Sequence, residues 1–140
     1  MNHIIQRYIE YFNICKHYKN LHGDKTVVLY RHGDYYEIYV YDISRCRSIE
    51  AMTDSDGKIW DESIGLENLD IAALLNVFIS NEYLNRPYGI SNLTCIGFSI
   101  HRLEKNRNTL LFNGYNVVES NCVHKSDGSM ERVNSIICTT

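Results

Sequence analysis

Residues 27–42 read VVLYRHGDYYEIYVYD. Two runs rich in aliphatic and aromatic residues, Thr26 to His32 and Tyr35 to Tyr41, are separated only by Gly33-Asp34. A two-residue connection of this kind predicts a β-hairpin, with Gly33 supplying the positive φ at the first turn position. Side chains alternate along a strand. Tyr36, Ile38 and Val40 therefore share one face, which reads as core. Tyr35, Glu37, Tyr39 and Tyr41 share the other, a tyrosine-rich face holding a single acid. A ring and a carboxylate two residues apart, just past a turn, need a chemical reason or none at all.

The hairpin sits in a chain of 140 residues, the size of one domain, with enough length to bury a core without staples. It is 44% hydrophobic and 22% charged, with one Pro and eight Gly, which excludes linker and low-complexity classes. The five cysteines, Cys15, Cys46, Cys95, Cys122 and Cys138, show no metal-like or redox-motif spacing. They read as reduced, mostly buried thiols of an intracellular, reducing compartment. No run is long and apolar enough to span a membrane, and MNHIIQRYIEYF lacks a signal-peptide core.

The net charge of −3 is unevenly placed. Residues 1–47 carry seven Lys/Arg against five Asp/Glu and four of the six His, whereas residues 48–140 carry seven against twelve. The hairpin lies in the more basic part.

Around it, residues 3–20 (HIIQRYIEYFNICKHYKN) place Ile4, Ile5, Tyr8, Ile9, Tyr11, Phe12 and Cys15 on a wide helical stripe, with Lys16, His17 and Lys19 suiting the C-terminal end. Asp42 or Ser44 suits the cap of a short helix. Residues 50–82 hold eight acids and one base, Lys58. Within them TDSDGKIWDE imitates a calcium loop, but its first and last ligand positions fall on Met52 and Ser63, so it reads as a turn. Leu66 to Tyr83 predicts a helix with Leu69, Ala72, Ala73, Val77 and Phe78 packed, broken by Arg86-Pro87-Tyr88-Gly89. Thr94 to Ser99 reads as a strand. His101 to Asn113 reads as a helix closed by Gly114 in a left-handed cap. Asn116 to His124 and Met130 to Thr139 read as strands joined by a turn at Ser126-Asp127-Gly128-Ser129. The pattern predicts a single α/β domain of α+β type: a mixed sheet around a central hairpin, flanked by about three helices, with a long acidic insertion at about 46–94.

Catalytic signatures are missing. The six His form no HExxH, no Walker-type loop occurs and nothing matches a nucleophile elbow, so no catalytic residue, metal site or cofactor is assigned. Tyr, Asp and Glu around the hairpin are the residue types of a general acid/base pair, a combination common by chance; the hairpin can also be read as a nucleic-acid reader. A ring at its base stacks on a base or wedges between steps, with stacking worth about 1–3 kcal/mol per base. A carboxylate beside a polyanion makes sense where it meets a base edge, and a phosphate-rich surround favours its protonated form. The plain alternative is an exposed sheet face without a role.

A resemblance favours the reader. RHGDYYEIYVYD is similar to the R-M-G-D-F-Y-E-L-F signature of the N-terminal, mismatch-recognising domain (domain I) of the MutS family of DNA mismatch repair proteins. Arg31, Gly33, Asp34, Tyr36 and Glu37 fall in register, after a helix and a strand in the family's order. GFSIHRLEKNRNTLLFNGYNVV resembles the family's G-I-P-x-H…helix…G-x-x-V segment through Gly97, His101, Leu111, Gly114 and Val117. MERVNSIICTT resembles E-R-x-V-x-R-I-x-T-P-G-T at Glu131, Arg132, Ile137 and Thr139. The likeness covers about residues 2–45 and 95–140; the acidic 46–94 segment has no counterpart, and its charge places it away from the duplex.

What the resemblance implies is a DNA-binding module. The family's Phe enters from the minor groove and stacks on a mispaired base, and its Glu hydrogen-bonds that base; by position Tyr35 takes the first role and Glu37 the second. His32, where the family has Met, and Arg31 are further candidate contacts to double-stranded DNA. Tyr35 departs from Phe and carries a hydroxyl that needs a partner in the base stack, so the implied target is a mismatch or another lesion. The family's later domains (connector, lever, clamp and ATPase) are not in these 140 residues. The resemblance implies a longer, dimeric parent whose ATP and magnesium sites lie in that ATPase domain, while this domain is not an enzyme. The divergence fits a viral or organellar branch, and localisation in nucleus, cytoplasm, viral factory or organelle is left open. A rival expectation is a protein-interaction or structural domain that has lost specific DNA reading.

Overall fold

The computed structural model describes residues 3–43, 62–77, 79–80 and 93–139. The elements are α1 (His3–His22), β1 (Thr26–His32), β2 (Tyr35–Tyr41), α2 (Asn68–Leu75), β3 (Ile79–Ser80), β4 (Leu93–Ser99), α3 (Leu103–Phe112), β5 (Asn116–His124) and β6 (Met130–Ile137), with a 3-10 turn at Ile100–Arg102 ahead of α3. The class is α+β, with a mixed sheet of strand order β3-β4-β2-β1-β5-β6. None of the described helices is long and apolar enough to cross a membrane. The chain clusters into two compact units, residues 1–13 with 38–97 and residues 14–37 with 98–140.

In the first unit, the core is aromatic. Tyr8 of α1 stacks on Tyr39 of β2 at 4.3 Å between centroids, and Tyr11 meets the same ring edge-on at 4.8 Å. This corrects the expected division of β2 into a core face and a tyrosine-rich outer face: Tyr39 and Tyr41 are fully buried, as are Ile38 and Val40. Rings on that face are large apolar surfaces, and Tyr8 and Tyr11 of α1 cover that of Tyr39. Asn68 donates from Nδ2 to the Tyr39 carbonyl at 2.9 Å and to the Tyr11 hydroxyl at 3.2 Å, so a buried amide is satisfied by the layers it joins. Tyr41 and Ile64 exchange backbone hydrogen bonds at 2.8 and 2.9 Å.

The helix expected through Tyr83 ends at Leu75. Asn76 adopts φ +54, ψ +47, and its N–H and that of Val77 return to the carbonyls of Ala73 and Ala72. Asn tolerates the left-handed region, so it stops the helix well before Arg86-Pro87. The buried face is Asn68, Ile71, Ala72 and Leu75 rather than one containing Leu69 and Ala73. The calcium-like stretch up to Asp61, Ser44 and the 86–89 breaker lie outside the described residues.

In the second unit, β1 runs antiparallel to the start of β2 and parallel to β5, and β5 runs antiparallel to β6. The hairpin bounds match the expectation, with Gly33 at φ +62. Helix α3 closes as read: Gly114 takes φ +84, its N–H bonds the Leu111 carbonyl and that of Tyr115 reaches Leu110. Lys25 completes this cap, its Nζ 2.9 Å from the Asn113 carbonyl and 4.6 Å from the Tyr115 ring centre. Arg107 of α3 forks onto Glu119 of β5 at 2.7 and 3.3 Å, pinning the helix to one face of the sheet. The last strand stops at Ile137, two residues earlier than expected, where Thr139 N–H turns to the Asn116 side chain at 3.0 Å. Of the four described cysteines, all free thiols, only Cys95 is buried; Cys122 and Cys138 are exposed. The expectation of mostly buried thiols is thereby corrected.

Candidate nucleic-acid interface

The end of the first hairpin is built by three cross-strand pairs, Tyr30 with Glu37, Arg31 with Tyr36, and His32 with Tyr35. Opposed residues share a face, so Tyr30, His32, Tyr35 and Glu37 stand together while Arg31 and Tyr36 stand behind. Tyr35 is 55% exposed and Tyr36 only 3%. The difference between neighbours follows from the pleat and from what each face meets. Tyr36 stacks near-parallel to Phe98 at 6.1 Å and donates its hydroxyl to Asn121 Oδ1 at 2.6 Å, whereas the Tyr35 ring projects beside the turn.

Glu37 is not a free reader. His32 Nδ1 lies 3.3 Å from its Oε1; the Glu37 side chain is 15% exposed and that of His32 53%. Once the imidazole is protonated, the pair presents no net charge to a polyanion. Arg31 is not brought to Tyr35 and Glu37. Its Nε donates to the Gly33 carbonyl at 2.8 Å and its guanidinium lies 5.8 Å from the Tyr36 ring centre, on the opposite face. Its position there serves the turn.

Two further groups reach this end of the sheet. The Ile100 N–H donates to the Asp34 carbonyl at 3.0 Å, which ties the 3-10 turn to the hairpin turn. That turn and the start of α3 carry exposed His101, Arg102 and Lys105, against exposed Glu104. On the Tyr35 face, Arg132 of β6 lays its guanidinium 3.7 Å from the Tyr30 ring centre. Neither group follows from local spacing. Asp34 and Ile100 meet only because the fold brings the turn to the strand-to-helix junction, and Arg132 comes from a strand 101 residues beyond Arg31. The available signals were the motif likeness at His101 and Arg132 and the β6 alternation that puts Arg132 on a defined face, and neither names a partner.

Among the described residues, no group of three or more His, Cys, Asp or Glu side chains is placed to hold a metal ion. No family model matches the chain, and no curated protein matches it.

Proposed function

We propose that this chain is a DNA mismatch- or lesion-recognition module of the MutS kind, with Tyr35 as the wedge and Glu37 as the base reader. The observation that supports it most is the pairing of an exposed Tyr35 ring with a largely buried mount: the ring is 55% exposed, while Tyr30 and Tyr36 beside it are 4% and 3% exposed. A ring held this way does work on a base stack because its support does not yield.

In this reading the ring enters at a weakly stacked step, where the kink costs less than at a Watson–Crick pair, so discrimination comes from deformability. His32 holds the Glu37 carboxylate, and offsets its charge when the imidazole is protonated, until a base edge offers a hydrogen bond. Exposed His101, Arg102 and Lys105 supply the non-specific attraction to phosphates. The chain binds and does no chemistry; ATP and magnesium belong to other domains of a longer parent, whose partners include those domains and a second copy.

A second reading, a protein-interaction module, is favoured by apolar exposure elsewhere. Phe112 is 92% exposed, and Met130, Val133 and Ile137 are exposed on β6, which ends the sheet. Titrating labelled duplexes that differ by one mismatch, at two salt concentrations, separates the readings. Expected is weak, salt-sensitive binding on the non-specific scale of about 10⁻⁴–10⁻⁶ M, with a mismatch preference that Tyr35→Ala and Glu37→Ala each abolish. Equal affinity of the wild-type chain for both duplexes, or a preference untouched by Tyr35→Ala, overturns the first reading.

A further inference from the structure

We propose that Arg132 is the positioning residue of the DNA-reading face, holding the Tyr35 end of the hairpin at the point where two hairpins part. The inference rests on the DNA-recognition reading above and deepens it.

The parallel ladder between β1 and β5 ends at Tyr30 and Ser120. Beyond it, β5 continues with β6 as far as His124 and Met130, while β1 turns back after His32. Past the Tyr30–Ser120 pair, no β1–β5 backbone pairing supports the hairpin end. Arg132 fills that gap from β6, reaching over β5. Its Nη1 donates to the Ser120 carbonyl at 3.0 Å and lies 3.3 Å from the Ser120 hydroxyl. Its Nη2 donates to the Arg31 carbonyl at 3.2 Å and contacts Cys122 Sγ at 3.1 Å. One planar fork thus joins three strands, a geometry that a guanidinium offers and an ammonium does not.

The joined atoms are those that matter for the reader. The Arg31 carbonyl immediately precedes His32, the register partner of Tyr35. The Tyr30 ring, under the guanidinium at 3.7 Å, belongs to the register partner of Glu37. Behind the sheet, the Tyr36 hydroxyl bonds Asn121 and holds the same end from the opposite face. Arg132 itself is spent on protein acceptors and a ring, so it acts on DNA through Tyr35 and Glu37. A recognition group must be held within about 0.5 Å to favour one geometry, and this fork supplies the constraint.

The experiment compares the wild-type chain with Arg132→Met and Arg132→Lys. It reads melting temperature and the dissociation constants for a matched duplex and for one with a single mismatch. Expected is a wild-type mismatch preference that falls to near unity in Arg132→Met, with matched-duplex affinity within about twofold, since phosphate attraction is carried elsewhere. Arg132→Lys keeps the stem and the charge but lacks the fork, so it restores melting temperature without restoring the preference. It also decides the matter if Arg132→Met does not fold. Full rescue of the preference by Lys overturns the proposal, because charge alone then suffices. So does a loss of matched and mismatched affinity in equal measure with a lowered melting temperature, the mark of a purely structural role. A wild-type chain without any preference defeats the recognition reading itself, and is told apart from these outcomes because it needs no variant.

Discussion

His32 and Glu37 face each other across the hairpin end with Nδ1 and Oε1 3.3 Å apart, beside the exposed ring of Tyr35. The pair is half in water, so its stability contribution is small, within about 1 kcal/mol. On the proposed DNA-recognition reading its effect on binding is larger, because an imidazole that carries a proton offsets the Glu37 charge on that face. Replacing His32 with Ala is expected to leave the denaturation midpoint nearly unchanged and, on that reading and under conditions where the imidazole carries a proton, to weaken binding to matched and mismatched duplexes alike, most at low salt. Tighter binding after His32→Ala would show that the imidazole blocks Glu37 rather than shielding it.

Two tyrosines of one strand and one face are expected to behave oppositely. Tyr35→Ala removes an exposed ring and should change stability by no more than about 0.5 kcal/mol. Tyr39→Ala removes a fully buried ring that stacks on Tyr8 at 4.3 Å and meets Tyr11 at 4.8 Å. It should cost about 3–5 kcal/mol, in the range of large-to-small core changes. Urea denaturation of both variants checks this, and comparable losses would mean that the Tyr35 ring is packed in solution.

This contrast shows what alternation reveals and what it hides. The bounds of β1, β2 and β5 and the left-handed Gly114 cap were legible, because a two-residue Gly-Asp connection and a helix followed by Gly have few backbone solutions. The burial of Tyr39 and Tyr41 was not, since period two assigns faces but does not say that a helix covers the second one. The end of α2 was hidden because Val77, Phe78 and Ile79 continue an apolar pattern past Asn76, and periodicity cannot see a left-handed Asn. At the candidate site, spacing placed Tyr35 and Glu37 on one face, and the family likeness added His32 and Arg31; His32 shares that face and Arg31 lies behind it. Arg132 was illegible as a partner because its role depends on strand order.

Gly65 tests the first unit's core. It holds φ +78, and a Cβ there would stand 2.7 Å from the Tyr39 carbonyl oxygen and 2.9 Å from Phe12 Cε1. One of those neighbours is backbone, so relief requires moving β2 away from the loop that carries Ile64. Gly65→Ala is expected to destabilise by roughly 2 kcal/mol or more, from left-handed strain and overpacking together. Gly33→Ala meets no atom within 4 Å and bears only the conformational cost of φ +62. Thermal unfolding that ranks Gly33→Ala as the more damaging change would contradict this account of the core.

The second hairpin turn carries a titration of its own. The Ser129 hydroxyl donates to Asp127 Oδ1 at 2.6 Å and the Ser129 N–H at 2.9 Å. These bonds, the hydroxyl's first, hold the Asp127 carboxyl below the usual carboxylate range. A depressed folded-state value means that the turn gains from the ionised form. That gain is complete above the ordinary carboxylate pKa of about 3.9 and is lost as pH falls through the lower, folded value. The Ser129 amide shift should therefore stay flat from neutral pH down to about 4 and move only in more acidic solution. Asp127→Asn keeps an acceptor but no charge, so its Ser129 amide should lose that acid limb. An Asp127 carboxyl that titrates at or above the ordinary value, or an acid limb that persists in Asp127→Asn, would place the source of the shift outside this turn.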